Sequence, residues 1–284
     1  MKKNIVLPDG TFVNNLGIGT WYMGDNPNKK SEEIKSIRYA LNNGIKIIDT
    51  AEMYGSGNSE RLIGEAIKGY NRSSIFLISK VLPSNAGKNK IFQACENSLK
   101  RLGTDYLDMY LLHWRGMYSF EETFECMEEL KKAGKIRRWG VSNMDIEDMI
   151  EIQSTPYGKE CQINQVLYHL GSRGIEYSLK PFTDSNGIPT MAYCPLAQGG
   201  RLKEKLLKSI SVKKIAEKYG ITPIQTLLSF VLSQENMIAI PKASYVEHMK
   251  QNIECLNIHL DDEDLMLLNK EYPKPTKKLP LDIE

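Results

Sequence analysis

The stretch Ser31 to Asp49, SEEIKSIRYALNNGIKIID, carries the pattern on which the fold reading turns. Apolar positions recur at helical spacing from Ser31 to Asn43, and Gly44 supplies the left-handed stop that commonly follows a helix. Lys46 to Asp49 is then a short run rich in β-branched residues, ending in a carboxylate. Strand, polar loop and helix of ten to fifteen residues repeat along the chain. The strand-like runs are Leu16–Gly19, Lys46–Asp49, Ile75–Lys80, Tyr106–His113, Ile136–Ser142, Gln162–Gln165, Thr190–Tyr193 and Met237–Lys242. The helical stretches include Lys88–Leu102, Phe120–Ala133 and Ser211–Tyr219, with Gly103, Gly134 and Gly220 just beyond them, and Pro223 opens another through Gln234. Eight such units predict an α/β protein, a (β/α)8 barrel forming one domain over residues 1–284. Outside the repeat, VLPDGTFV (6–13) reads as a hairpin around Asp9-Gly10, placed to plug the barrel bottom.

Composition limits the function classes. With 41% apolar and 25% charged residues in 284, the chain can bury a full core, and a net charge of +2 gives no basic excess to attract nucleic acid or an anionic membrane. The five cysteines are scattered and lack a CxxC pair, which argues for reduced thiols. Lys2 and Lys3 are followed by only three apolar residues before Pro8, too few for a signal-peptide core, and no 18-residue apolar stretch occurs. These features predict a cytoplasmic protein with a small-molecule partner.

In a parallel barrel, function lies in the loops leaving the carboxyl ends of the strands. Those ends carry Asp49, Lys80, His113, Ser142 with Asn143, Gln165 and Lys242. One polar strand end usually marks solvent; six gathered at one mouth point to chemistry. Tyr54 follows Asp49 by five residues. A phenol titrates at about 10, and a nearby cation brings that value down, so Tyr54 beside Lys80 is a candidate proton donor, with Asp49 holding the lysine. His113 offers a neutral imidazole to a substrate oxygen. That set suits reduction of a carbonyl group with hydride from a cofactor. The glycines of YGSGNSE (54–60) lack the third glycine and the downstream acid of a dinucleotide fingerprint, and the four histidines lack metal-ligand spacing, so no metal is predicted.

The segments GIGTW (17–21), IIDTAEMYG (47–55), SKV (79–81), RLGTDYLDMYLLHW (101–114), GKIRRWGVSN (134–143), INQV (163–166), AYCPLAQGG (192–200) and IPKA (240–243) resemble, in order, the aldo-keto reductases. Within that family the resemblance leads to bacterial aldehyde reductases of the methylglyoxal-reductase kind. It implies a nicotinamide-dependent barrel with Asp49, Tyr54, Lys80 and His113 as the catalytic set. It also implies that Ser142, Asn143 and Gln165 hold the nicotinamide carboxamide and that Tyr193 stacks on the ring. Thr20, Trp21, Asp49 and Cys194 line the same cofactor path, and Leu196 and Gln198 fold over the pyrophosphate, where Gly199 and Gly200 suit a mobile cover.

At the adenosine end Lys242 falls on the family's 2′-phosphate lysine. His248 stands where arginine is common, Ala243 where serine is, and Gln251 where glutamate is; Asn252 matches. The implied coenzyme is NADPH/NADP+, with NADH as the other candidate. Trp21, Tyr54, His113 and Trp114 are the candidate substrate contacts. Arg115 and Gly116 depart from the family's usual proline, which leaves the facing of Arg115 open, and the tail from Tyr272 is short, which favours small aldehydes and 2-oxoaldehydes. The family implies a monomer.

Two other classes stay open at this level: a nicotinamide-binding sensor subunit with little turnover, and a nicotinamide-free lyase using Lys80 as a Schiff-base amine. The coenzyme reading is testable directly. His248→Arg adds a two-point phosphate fork, so it is expected to tighten NADPH and leave NADH nearly unchanged in a fluorescence titration; equal effects on both would refute the placement of His248.

Overall fold

The first element is a small antiparallel hairpin. Strands β1 (Asn4–Val6) and β2 (Phe12–Asn14) pair with Ile5 opposite Val13. The turn between them is closed by Leu7 N–H donating to the Thr11 carbonyl at 2.9 Å and Gly10 N–H donating to the Leu7 carbonyl at 2.8 Å. Gly10 takes φ +85°, a left-handed backbone that glycine adopts without penalty. The structure, a computed structural model, describes residues 4–283; Met1, Lys2 and Lys3, weighed above for a leader, and Glu284 lie outside the described residues.

Eight parallel strands follow: β3 (Gly17–Gly19), β4 (Ile47–Asp49), β5 (Phe76–Val81), β6 (Met109–Leu112), β7 (Trp139–Ser142), β8 (Cys161–Leu167), β9 (Thr190–Tyr193) and β10 (Met237–Ala239). Each pairs with its sequence neighbours, and the ring closes where Leu16 bridges Ala239 and Gly19 N–H donates to the Pro241 carbonyl. The closing contact is tight. A Cβ at Gly19 would lie 2.5 Å from the Ile240 carbonyl oxygen, so only glycine permits it. Helices α1 (Lys30–Asn42), α2 (Asn58–Ala66), α3 (Ile91–Leu102), α4 (Phe120–Lys132), α5 (Ile146–Ser154), α6 (Leu179–Ser185), α7 (Gly200–Lys208), α8 (Ile210–Tyr219), α9 (Pro223–Ser233), α10 (Val246–Glu254) and α11 (Asp262–Glu271) flank the barrel. The expected (β/α)8 barrel with an amino-terminal hairpin is the observed fold.

Side chains alternate across the barrel wall, as strand geometry demands. One set faces the helices and forms the large outer core. The other fills the interior with Ile47, Ile78, Met109, Leu111, Ile163, Met191 and Ile238. Ile5, Leu7 and Val13 of the hairpin region join this inner cluster, so the hairpin plugs the barrel bottom. Arg138 fastens the plug from outside through an ion pair to Asp9 at 2.5 Å.

Several boundaries shift from their sequence reading. β6 begins at Met109 rather than Tyr106; ahead of it Leu107 makes an isolated bridge, and Arg72 binds the Tyr106 carbonyl and the Asp108 carboxylate, each at 2.8 Å. β7 begins at Trp139 rather than Ile136, which only bridges Leu107. β10 ends at Ala239, just short of Pro241, which has no N–H to give. α3 starts at Ile91 rather than Lys88, whose N–H instead reaches Glu122. The left-handed stops at Gly44, Gly103, Gly134 and Gly220 all hold. Leu7→Ala removes the buried apex of the plug and is expected to cost about 2–4 kcal/mol in urea unfolding; a change within about 0.5 kcal/mol would mean that the plug carries little of the core.

Candidate active site

The inward alternation of the strands also builds the mouth. Two residues beyond an interior apolar side chain comes a polar one on the same face. Ile47 is followed by Asp49, Ile78 by Lys80, Leu111 by His113, Ile163 by Gln165 and Met191 by Tyr193. Each strand thus ends its stack of hydrophobic layers with one functional group, and the barrel points these groups at one another.

Lys80 sits at their centre with no solvent exposure. Its ammonium donates to Asp49 Oδ2 at 2.8 Å, to the Thr50 carbonyl at 2.9 Å and to the Tyr54 hydroxyl at 3.1 Å. All three donors of the ammonium are therefore engaged. Burial disfavours its charge, but Asp49 and the Tyr54 phenol outweigh that cost and hold Lys80 above the ordinary lysine value. With its three donors engaged by Asp49, Thr50 and Tyr54, this ammonium is arranged as a fixed charge rather than as a free amine.

Tyr54 departs from expectation. Burial pushes its phenol above 10, and although Lys80 pulls it down, as predicted, the pull is the smaller effect. The group is thus held protonated. Its loop is bent by left-handed residues Gly55, Ser56 and Gly57 (φ +54°, +51° and +85°), which turn the chain back into α2. Glycine suits position 55, where φ is +54° and a Cβ would displace the Asp25 carboxylate. Behind the loop, Thr20 Oγ1 donates to the Asp49 carbonyl at 2.8 Å and lies 2.8 Å from Ser59 Oγ.

His113 is buried, with Nδ1 lacking a hydrogen-bond partner. Burial, and then the Lys80 charge, lower its pKa to about 2, so the imidazole is neutral, as expected. It lies edge-on to Tyr54, 5.8 Å between ring centres. Asn143, at φ +56°, turns its amide to the His113 carbonyl at 3.1 Å and accepts from the Tyr193 hydroxyl at 2.9 Å. Ser142 Oγ donates to the Gln165 carbonyl at 2.9 Å, and Gln165 Nε2 donates to Asp49 Oδ1 at 2.7 Å. The sequence-selected residues at the ends of six strands, β4 to β9, form one group, which His113 joins through its backbone carbonyl.

From Tyr54 a cleft of about 340 Å³ runs to Lys242. One wall carries Thr20, Trp21 and Tyr22; the other carries Tyr193, Cys194, Leu196 and Gln198. Trp21 stacks on Tyr22 at 4.7 Å and lies 6.3 Å from Tyr54, and the Lys242 ammonium sits 5.7 Å from the Tyr22 ring centre. Lys203 of α7, which sequence reading missed, is half-buried in the cleft and has no carboxylate within ion-pair distance among the described residues. Its α7 position gives no period or motif signal; only the fold brings it to the cleft. Gly199 stands at the N-cap of α7 and Gly200 opens that helix. Ala243 and Asn252 are buried beside the cleft rather than on its wall, Gln251 is half-buried, and His248 is exposed on the first turn of α10.

A family model described as "Aldo/keto reductase family" matches residues 15–272. The chain belongs to the aldo/keto reductase family. Its sequence is 50% identical to the methylglyoxal reductase YeaE of Escherichia coli, over 94% of each chain. It is 33% identical to a glyoxal reductase of Bacillus subtilis, covering 93% of this chain and 91% of the relative. A crystal structure of an aldo-keto reductase from Klebsiella pneumoniae in complex with NADPH superposes with a TM-score of 0.97, at 48% identity and complete coverage of both chains.

This oxidoreductase has the features a phosphorylated dinucleotide needs. The cleft carries lysines, Lys203 and Lys242, that pair with no carboxylate among the described residues, and Tyr54 on its lining stands edge-on to the neutral His113. Among the described residues, no group of three His, Cys, Asp or Glu side chains is placed to hold a metal ion. Beyond His113, Trp114 is partly exposed and 4.7 Å away ring to ring. Arg115 turns from the cleft and pairs with Asp148 and Glu151 of α5, both at 2.7 Å, so it braces the loop. The tail is strapped outside: Asp282 accepts from Ser172, and Lys278 pairs with Glu147 at the start of α5.

The Lys80–Asp49 pair gives a test free of turnover. Lys80→Met strands a buried carboxylate and is expected to cost about 3–5 kcal/mol in urea unfolding. The double variant with Asp49→Asn should cost less than the sum of the two single changes, as a coupled pair requires.

Proposed function

We propose that this aldo/keto reductase reduces small aldehydes and 2-oxoaldehydes such as methylglyoxal to alcohols, with NADPH as its coenzyme and Tyr54 as the proton donor. The observation that carries this reading is the buried Lys80 ammonium, held by Asp49 and bonded to the Tyr54 hydroxyl at the floor of the cleft. The similarity to methylglyoxal and glyoxal reductases supports the substrate class, and the NADPH-bound neighbour supports the coenzyme.

When bound, the nicotinamide supplies the hydride that reaches the carbonyl carbon. Ser142, Asn143, Gln165 and Tyr193 hold that end of the coenzyme, and Leu196, Gln198, Lys203 and Lys242 accompany its phosphates along the cleft. Tyr54 carries the proton. Its raised pKa keeps the phenol loaded near neutrality, and as negative charge grows on the carbonyl oxygen the proton passes from Tyr54 Oη to that oxygen. The phenolate left behind faces an ammonium 3.1 Å away that Asp49 keeps charged, an electrostatic arrangement built before the reaction begins. His113, neutral at every pH of interest, orients the carbonyl without competing for the proton. Trp21 and Trp114 wall the space above. We further read residues 1–284 as one domain acting as a monomer in the cytoplasm; among the described residues no helix is long and apolar enough to cross a membrane.

Tyr54→Phe is expected to lower kcat by about 10²–10⁴-fold, the usual range for a lost general acid, while the NADPH Kd measured by fluorescence stays within about twofold. Because His113 titrates near 2 and Tyr54 above 10, wild-type kcat for methylglyoxal reduction should be flat between about pH 5 and 9. Retained turnover in the variant, or a limb near pH 6.5 that disappears with His113, would count against these roles.

A further inference from the structure

Glu33 lies in the first turn of α1, a place where an acid ordinarily faces solvent and favours the helix dipole. Here it is 2% exposed. Its Oε2 accepts the Gly24 N–H at 2.9 Å, and its Oε1 accepts the Ser244 hydroxyl at 3.2 Å. It makes no ion pair among the described residues. A buried carboxylate held by one amide and one hydroxyl, with no cation bonded to it, is costly to keep.

Its two partners belong to the two segments that meet at the Lys242 end of the cleft. Gly24 ends the loop that carries Trp21 and Tyr22; Ser244 belongs to the segment that carries Lys242. One turn further along α1, Ser36 Oγ donates to the Ala243 carbonyl at 2.7 Å. α1 thus grips both rims where Tyr22 and Lys242 meet. Burial lowers the Lys242 pKa, and the Glu33 charge works against that shift, together with Asp25 and against Lys29.

We propose that Glu33 is a positioning and specificity-determining residue for the coenzyme: it fixes the Tyr22 loop against the Lys242 segment, and its buried charge offsets part of the lysine field that a 2′-phosphate experiences. This rests on the NADPH reading above. The end of the cleft then balances Lys242 and Lys29 against Glu33 and Asp25, with His248 in place of a permanent cation, so that NADPH and NADH are discriminated weakly. The carboxylate lowers the selectivity that Lys242 alone would confer.

Two variants separate the charge from the scaffold. Glu33→Gln keeps an acceptor for Gly24 N–H and an amide that the Ser244 hydroxyl can accept from, and removes only the charge. Glu33→Ala removes both links. Fluorescence titrations of wild type and both variants with NADPH and NADH, at low and high salt, read the effect. Glu33→Gln is expected to tighten NADPH by about two- to fivefold, the size of a partly screened charge interaction, to leave NADH unchanged, and to lose the gain at high salt. Glu33→Ala is expected to weaken both coenzymes. An unchanged NADPH-to-NADH ratio in Glu33→Gln overturns the assignment and leaves the reductase reading standing. Failure of the wild-type protein to bind either coenzyme overturns that reading, and the assignment with it. A Glu33→Ala protein that fails to fold leaves the Glu33→Gln ratio to decide.

Discussion

A lysine and an aspartate with almost no access to water set the terms for the rest of this molecule. Neither charge survives burial alone, because the loss of hydration exceeds what a single neighbour returns unless every donor and lone pair is used. That demand fixes a surprising amount of structure. Lys80 takes Asp49, the Thr50 carbonyl and Tyr54; Asp49, in turn, fills its second oxygen with Gln165 from the far side of the barrel. β4, β5 and β8 are thereby cross-linked at the mouth. The closed ring of strands and the apolar layers beneath are what keep the pair dry, so the fold and the chemistry stabilise each other.

The electrostatic consequence reverses a simple expectation. A cation beside a phenol suggests an acid made stronger, yet at this depth desolvation dominates and Tyr54 is held protonated. A strong acid in such a place would lose its proton before any carbonyl arrived. Lys80 serves instead at the moment of transfer, when the phenolate needs a partner already in position and fully charged. The aromatic run from Tyr54 through Trp21 and Tyr22 to Lys242 carries this organisation outward, linking the reacting end of the cleft to its phosphate end.

Much of this was legible in the sequence because strand geometry is periodic. Polar residues that close apolar runs, on strand after strand, mark a mouth, and Asp49, Lys80, His113 and Gln165 could be selected on that ground before any coordinates. The hairpin plug was readable from Asp9-Gly10 between two apolar runs. What escaped were contacts between residues far apart in the chain. Nothing local distinguishes Glu33 from an ordinary first-turn acid, because its burial is created by Gly24 and Ser244. Lys203 looks like any helix lysine until α7 is folded against the cleft. The grip of Arg72 on the Tyr106 carbonyl and the Asp108 carboxylate, from more than thirty residues away, was hidden for the same reason.

The plug of Ile5, Leu7 and Val13 also decides how molecules travel. With one end of the barrel sealed, everything that reaches Tyr54 enters and leaves by a single doorway, and the long cleft from Tyr54 to Lys242 occupies part of that doorway. A small molecule settling over His113 must do so above whatever already lies in the cleft. Whatever occupies the cleft therefore narrows the way to Tyr54 for anything that follows, so two ligands that meet there must share one entrance.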